Sequence, residues 1–140
     1  MVRISNSELV KLLIEDSRRS YVKLAKILGV TEAAVRKRIK KLEEMGVIRG
    51  YTIEVDPKKL GYELICFIGL DVSPEKYVKA INNLKDKQEV VKLYSTSGDH
   101  TILAECWFRN LEELNKFIED VEKAPGTTRV CPAIVLQRVK

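Results

Sequence analysis

The sequence predicts an α+β protein in two parts, an all-helical basic head followed by a body in which strands and helices interleave. Three observations carry that reading. Apolar residues recur at three- and four-residue spacing through the first part, then switch to strand-like runs from Leu64 onward. Positive charge is segregated: residues 1–50 hold 12 Lys/Arg against 6 Asp/Glu, whereas the remaining 90 hold 13 against 14. Hydrophobic residues make up 45% of the chain, enough for packed cores rather than a disordered polyelectrolyte.

Ser5-x-x-Glu8 forms a capping box that opens a first helix, with Leu9, Leu12 and Leu13 on one face. Ser20 caps a second helix that offers Val22, Leu24, Ala25 and Leu28 for burial, and Gly29 ends it because glycine takes the left-handed conformation without steric cost. Thr31 caps a third helix whose apolar stripe is Val35, Ile39 and Leu42. That stripe turns Glu32, Ala33, Arg36, Lys37 and Lys40 toward solvent. Gly46 stops the helix, and Val47–Val55 alternates as a strand.

Asp56-Pro57 breaks the chain, and residues 58–61 read as a turn. Strand Leu64–Val72, a helix from Pro74 to about Leu84, strand Val90–Ser95, the turn Ser97-Gly98-Asp99 and strand Thr101–Phe108 follow. A helix over Leu111–Val121, a break at Pro125-Gly126 and a last strand over Val130–Val139 complete the body. The order β-α-β-β-α-β is that of a ferredoxin-like sandwich. The predicted organisation is residues 1–50 as a helical head, 51–63 as a connecting strand and linker, and 64–140 as a ferredoxin-like domain.

Composition excludes several classes. No apolar run approaches the roughly 20 residues that span a bilayer, and the start lacks a secretory signal's apolar stretch, so a cytoplasmic protein is expected. Cys66, Cys106 and Cys131 are far apart in apolar segments and read as small buried hydrophobes in a reducing compartment. No close Cys or His spacing predicts a metal site, and no cofactor is expected.

The chemistry concentrates in two places. Five of the six residues from Arg36 to Lys41 are Arg or Lys, on a helix that follows a capped helix and a glycine turn. In a helix-turn-helix the second helix enters the major groove and its N-terminal residues meet base edges. Thr31, Glu32, Ala33, Arg36 and Lys37 stand there, with Arg36 or Lys37 suited to a bidentate guanine contact. Lys40, Lys41 and Arg49 are placed for phosphates. Charge runs are ordinarily solvated helix faces, and the run gains meaning from the cap, the glycine turn and the regional charge excess together. Double-stranded DNA is the expected partner.

The second place is Ser97-Gly98-Asp99-His100. Backbone N–H groups at the glycine turn suit a carboxylate and Asp99 suits an ammonium, which together fit a free amino acid. The same residues serve equally as a simple hairpin turn. Trp107 and Phe108 read as core, and His100 as a surface or edge residue without catalytic partners.

Taken in order, Leu24-Ala25, Gly29-Val30, Val35 through Glu43, Gly46-Val47-Ile48, Asp56-Pro57, Leu60-Gly61, Ser97-Gly98-Asp99 and Pro125-Gly126 resemble the Lrp/AsnC, or feast/famine, transcription regulators along almost the whole chain. The resemblance implies a sequence-specific regulator with a winged helix-turn-helix over 1–50, a hinge strand and linker over 51–63, and a RAM-type oligomerisation and effector domain over 64–140 that dimerises and assembles further, often to octamers, with amino-acid effectors held between dimers at the Gly-Asp loop. Val130 and Pro132 stand at or near positions where amino-acid-binding members often carry Thr, which predicts an apolar effector wall or a regulator without an effector. The alternatives are an effector-independent regulator or DNA organiser and, from another class, a sirohaem decarboxylase on the same architecture. The latter wants His and Arg in an interdomain cavity, and this chain has only His100.

Overall fold

The computed structural model describes residues 3–140, and the chain divides into two compact units, 1–54 and 55–140. In the first, helices α1 (Asn6–Glu15), α2 (Tyr21–Leu28) and α3 (Glu32–Glu44) start at the serine and threonine caps. Ser5 Oγ accepts from the Glu8 N–H at 3.3 Å, Ser20 Oγ from Lys23 at 3.1 Å and Thr31 Oγ1 from Ala34 at 3.1 Å. Each bond satisfies a first-turn donor that the helix itself leaves unpaired. Gly46, at φ 73°, closes α3: its N–H donates to Glu43 O and that of Val47 to Leu42 O, a Schellman arrangement that requires the left-handed backbone.

The first core joins Leu9 and Leu13 of α1, Leu24 and Ala25 of α2, and Val35, Ile39 and Leu42 of α3. Val22, expected in this core, is 61% exposed. Two residues along a helix turn about 200°, so burying Leu24 turns Val22 outward. Over Val47–Val55 the described chain forms no strand of its own. Tyr51, Ile53 and Val55 along it are exposed.

In the second unit, a 3₁₀ turn over Pro57–Leu60 leads into β1 (Leu64–Val72). Then come a 3₁₀ turn over Pro74–Lys76, α4 (Tyr77–Lys85), β2 (Val90–Ser95), β3 (Ile102–Phe108), α5 (Leu111–Lys123) and β4 (Thr127–Ile134). The antiparallel sheet has order β2-β3-β1-β4. Cys66, Ile68, Leu70 and Val72 alternate inward from β1, and Ile102, Ala104, Cys106 and Phe108 from β3, onto Leu84 of α4 and Leu114, Phe117 and Val121 of α5. Phe108 meets Phe117 edge-on, their centroids 5.3 Å apart.

The last strand begins and ends earlier than predicted. It pairs with β1 from Val72↔Thr127 to Cys66↔Ile134, and past Val135, whose N–H donates to Ile65 O, β1 has almost run out. Pro132 is tolerated because β4 is an edge strand. Trp107 lies half-buried on the sheet face opposite the helices, tilted against Tyr62 at 5.5 Å between centroids, rather than in the helix-side core.

Candidate nucleic-acid interface and effector loop

Burial fixes the direction of α3. Val35 and Leu42 are fully buried and Ile39 nearly so, which leaves Thr31, Glu32, Ala33, Arg36, Lys37, Lys40 and Lys41 on an exposed surface; Arg49, beyond the helix, is exposed as well. Arg38 lies to one side and donates to Asn6 Oδ1 of α1 at 3.3 Å.

Arg36 is held in place. Its Nη2 reaches Glu32 Oε1 at 3.1 Å, one turn earlier, and its guanidinium lies 4.7 Å from the ring centroid of Tyr21 on α2. Both restraints are weak. The ion pair is exposed, with side chains 64% and 48% accessible, and such pairs contribute about 0.3–0.5 kcal/mol. An exposed cation–π contact adds about 0.5–1 kcal/mol. A bidentate guanine contact discriminates by about 1–3 kcal/mol, enough to draw Arg36 off Glu32. Tyr21 was missed in the sequence because its partner belongs to the next helix and no local spacing links them.

The Ser97–His100 loop is tighter than a bare hairpin turn. Gly98 sits at φ 105°. Thr96 N–H donates to Thr101 O, and Thr96 Oγ1 to His100 O at 2.7 Å. Ser97, Gly98 and Asp99 are exposed and His100 is half-buried.

Asp99 does not stand free for an ammonium. Arg129 of β4 donates from Nη2 to Asp99 Oδ1 at 2.9 Å and to Asp99 O at 2.7 Å, while its Nε donates to Asp71 Oδ2 of β1 at 2.6 Å. Hydrogen bonding to this one guanidinium holds both carboxyls below the usual carboxylate range and pushes the Arg129 pKa up. The His100 ring lies between the two acids, Nδ1 3.5 Å from Asp71 Oδ1 and Nε2 3.4 Å from Asp99 Oδ2. Nδ1 is buried and outside hydrogen-bonding geometry. Thr101 N–H donates to Asp71 Oδ1 and Thr128 Oγ1 to Asp71 O.

Asp71 and Arg129 were therefore missed. Asp71 and Arg129 are cross-strand partners 58 residues apart, which only the β1–β4 register reveals. The one available signal was Asp71 itself, a lone charge in the apolar run Leu64–Val72. The register also corrects the apolar effector wall. Val130 pairs with Leu70 and Pro132 with Ile68, so both carry the parity of the helix-facing side, and Val130 packs on that core. The loop's face instead carries Arg129 and Cys131.

The cysteines are free thiols. Burial pushes Cys106 up to about 12 and raises Cys66, which keeps both protonated and unreactive.

Comparison with known proteins agrees with this anatomy. Residues 3–43 match the AsnC-type helix-turn-helix domain, and residues 65–140 match the Lrp/AsnC ligand binding domain. The chain is 45% identical, over the full length of both chains, to the HTH-type transcriptional regulator LrpA of Pyrococcus abyssi. It is 46% identical to LrpA of Pyrococcus horikoshii over 94% of each chain. The solved structure of E. coli AsnC superposes with a TM-score of 0.82 at 30% identity, covering 99% of this chain and 95% of that one. The chain therefore belongs to the Lrp/AsnC family and is a DNA-binding transcription regulator, not an enzyme.

Proposed function

We propose that this regulator reads its operator through α3, with Thr31, Glu32, Ala33, Arg36 and Lys37 toward base edges and Lys40, Lys41 and Arg49 toward phosphates. The observation that carries the reading is the burial of Val35, Ile39 and Leu42, which leaves the basic side of α3 exposed. One helix-turn-helix covers one half-site, and two half-sites a helical turn apart supply a regulator's specificity. The two-fold axis is assigned to residues 64–140, with residues 1–50 as the DNA head and 51–63 as the hinge strand and linker.

Helices α4 and α5 cover one face of the sheet; the other carries Ile65, Phe67, Leu103, Trp107 and Ala133, with Phe67 39% exposed. Pairing that face with a second copy buries it, and dimers joining further, toward an octamer, follow the family pattern. The site of action is the cytoplasm, where the DNA is. Light scattering at micromolar concentration tests the assembly: a dimer or larger mass supports it, and a monomer contradicts it.

An amino-acid effector is assigned to the Ser97–His100 loop, whose glycine turn presents backbone donors beside a carboxylate. A second reading, regulation without an effector, is favoured by the engagement of Asp99 with Arg129. Calorimetric titration with leucine, isoleucine, methionine, glutamine and lysine separates the two.

A further inference from the structure

Arg129 bridges two acids that sequence places 28 positions apart. One guanidinium reaches Asp71 through Nε at 2.6 Å and both the side chain and the carbonyl of Asp99 through Nη2, at 2.9 and 2.7 Å. Asp71 is fixed in turn by Thr101 N–H on its carboxylate and Thr128 Oγ1 on its carbonyl. The loop residue Asp99, which lies between β2 and β3, is thereby tied across the sheet to β1 and β4. His100, wedged over Gly69 between both carboxylates, closes the inner side.

We infer that Arg129 is an internal cation occupying the ammonium position of the effector loop, a latch that a free amino acid must displace from Asp99 before it binds. This rests on the assignment of Ser97–His100 as the effector site. The chemistry follows from the groups present. A ligand ammonium seeks the carboxylate that Arg129 already satisfies, so it gains only the difference between two charge-assisted contacts. A loop open about a tenth of the time weakens the apparent affinity about tenfold. Arg129 thus sets specificity: a ligand whose only anchor is its ammonium competes poorly, and one that also uses the glycine-turn donors and buries a side chain competes well. Position 129 is partly exposed, its side chain 46% accessible, so the latch is free to swing out without opening the core.

The test compares full-length wild type, Arg129→Met and Arg129→Lys by backbone hydrogen exchange across Thr96–Thr101 and by calorimetry with leucine, methionine, glutamine and lysine. Thermal unfolding confirms that all three are folded. The expected result is faster exchange in the loop of Arg129→Met, with affinity for at least one amino acid raised about tenfold or more over wild type. Arg129→Lys falls between, because a single ammonium keeps the charge but does not fork across two carboxylates. Unchanged exchange and unchanged affinity in Arg129→Met overturn the latch, and the effector assignment survives if wild type itself binds. Faster exchange with no amino acid bound by any of the three proteins overturns the effector assignment, and the latch as a ligand surrogate falls with it.

Discussion

Gly69 and His100 share one volume: a Cβ built on Gly69 would lie 2.6 Å from His100 Nε2 and closer still to the ring carbons. Gly69 sits mid-strand in β1, paired with Leu103 and Cys131, where glycine otherwise weakens a sheet. Its place here is explained by the close approach of the imidazole. Gly69→Ala is expected to push His100 out of the space between Asp71 and Asp99. The cost is about 1–3 kcal/mol, typical of an overpacked site. Chemical denaturation reads the stability, and the His100 side-chain NMR shifts read the displacement.

The loop responds to acid. Arg129 depresses both Asp71 and Asp99, so their contribution is fully present above the ordinary carboxylate pKa and is lost as pH falls through the lowered folded values. The Arg129 shift is upward and leaves that group charged throughout, so it adds no acid transition. Exchange across Thr96–Thr101, corrected for its intrinsic pH dependence, is expected to accelerate only below the usual carboxylate range. In Asp71→Asn that transition shrinks, leaving the Asp99 part.

Thr31 holds the first turn of α3 through its bond to Ala34 N–H. Thr31→Ala is expected to destabilise the N-terminal unit by about 1 kcal/mol, within the 0.5–2 kcal/mol range of lost caps. Thr31→Ser, which keeps the acceptor, restores most of it. Helix signal in denaturant titrations of the two variants measures the difference.

The parts of the molecule differ in how legible they are in the sequence. Helix starts in the head were readable because a cap acts within three residues: Ser5, Ser20 and Thr31 each bond to the N–H three positions on; the helix expected from Pro74 opens instead as a 3₁₀ turn without a side-chain cap and becomes α-helical at Tyr77. Strands β1 and β2 were readable to the residue because apolar runs flanked by breakers define them. What escaped depends on partners remote in sequence. The end of β4 is set by where β1 runs out, and the Asp71–Arg129–Asp99 network by cross-strand register. The basic face of α3 was legible because helical periodicity is local; the stacking of Arg36 on Tyr21 was not, because it joins two helices.

The central claim is that α3 carries DNA recognition with a division of labour along its basic face. Fluorescence anisotropy titrations of wild type, Arg36→Ala and Lys40→Ala against a selected operator and a scrambled duplex, over a series of salt concentrations, test it most directly. Arg36→Ala is expected to lose about 1–3 kcal/mol on the operator and little on the scrambled duplex. Lys40→Ala is expected to weaken both alike and to reduce the slope of log affinity against log salt by about one. Unchanged operator affinity in Arg36→Ala, together with an unchanged salt slope in Lys40→Ala, would contradict the assignment of α3 as the DNA-reading helix.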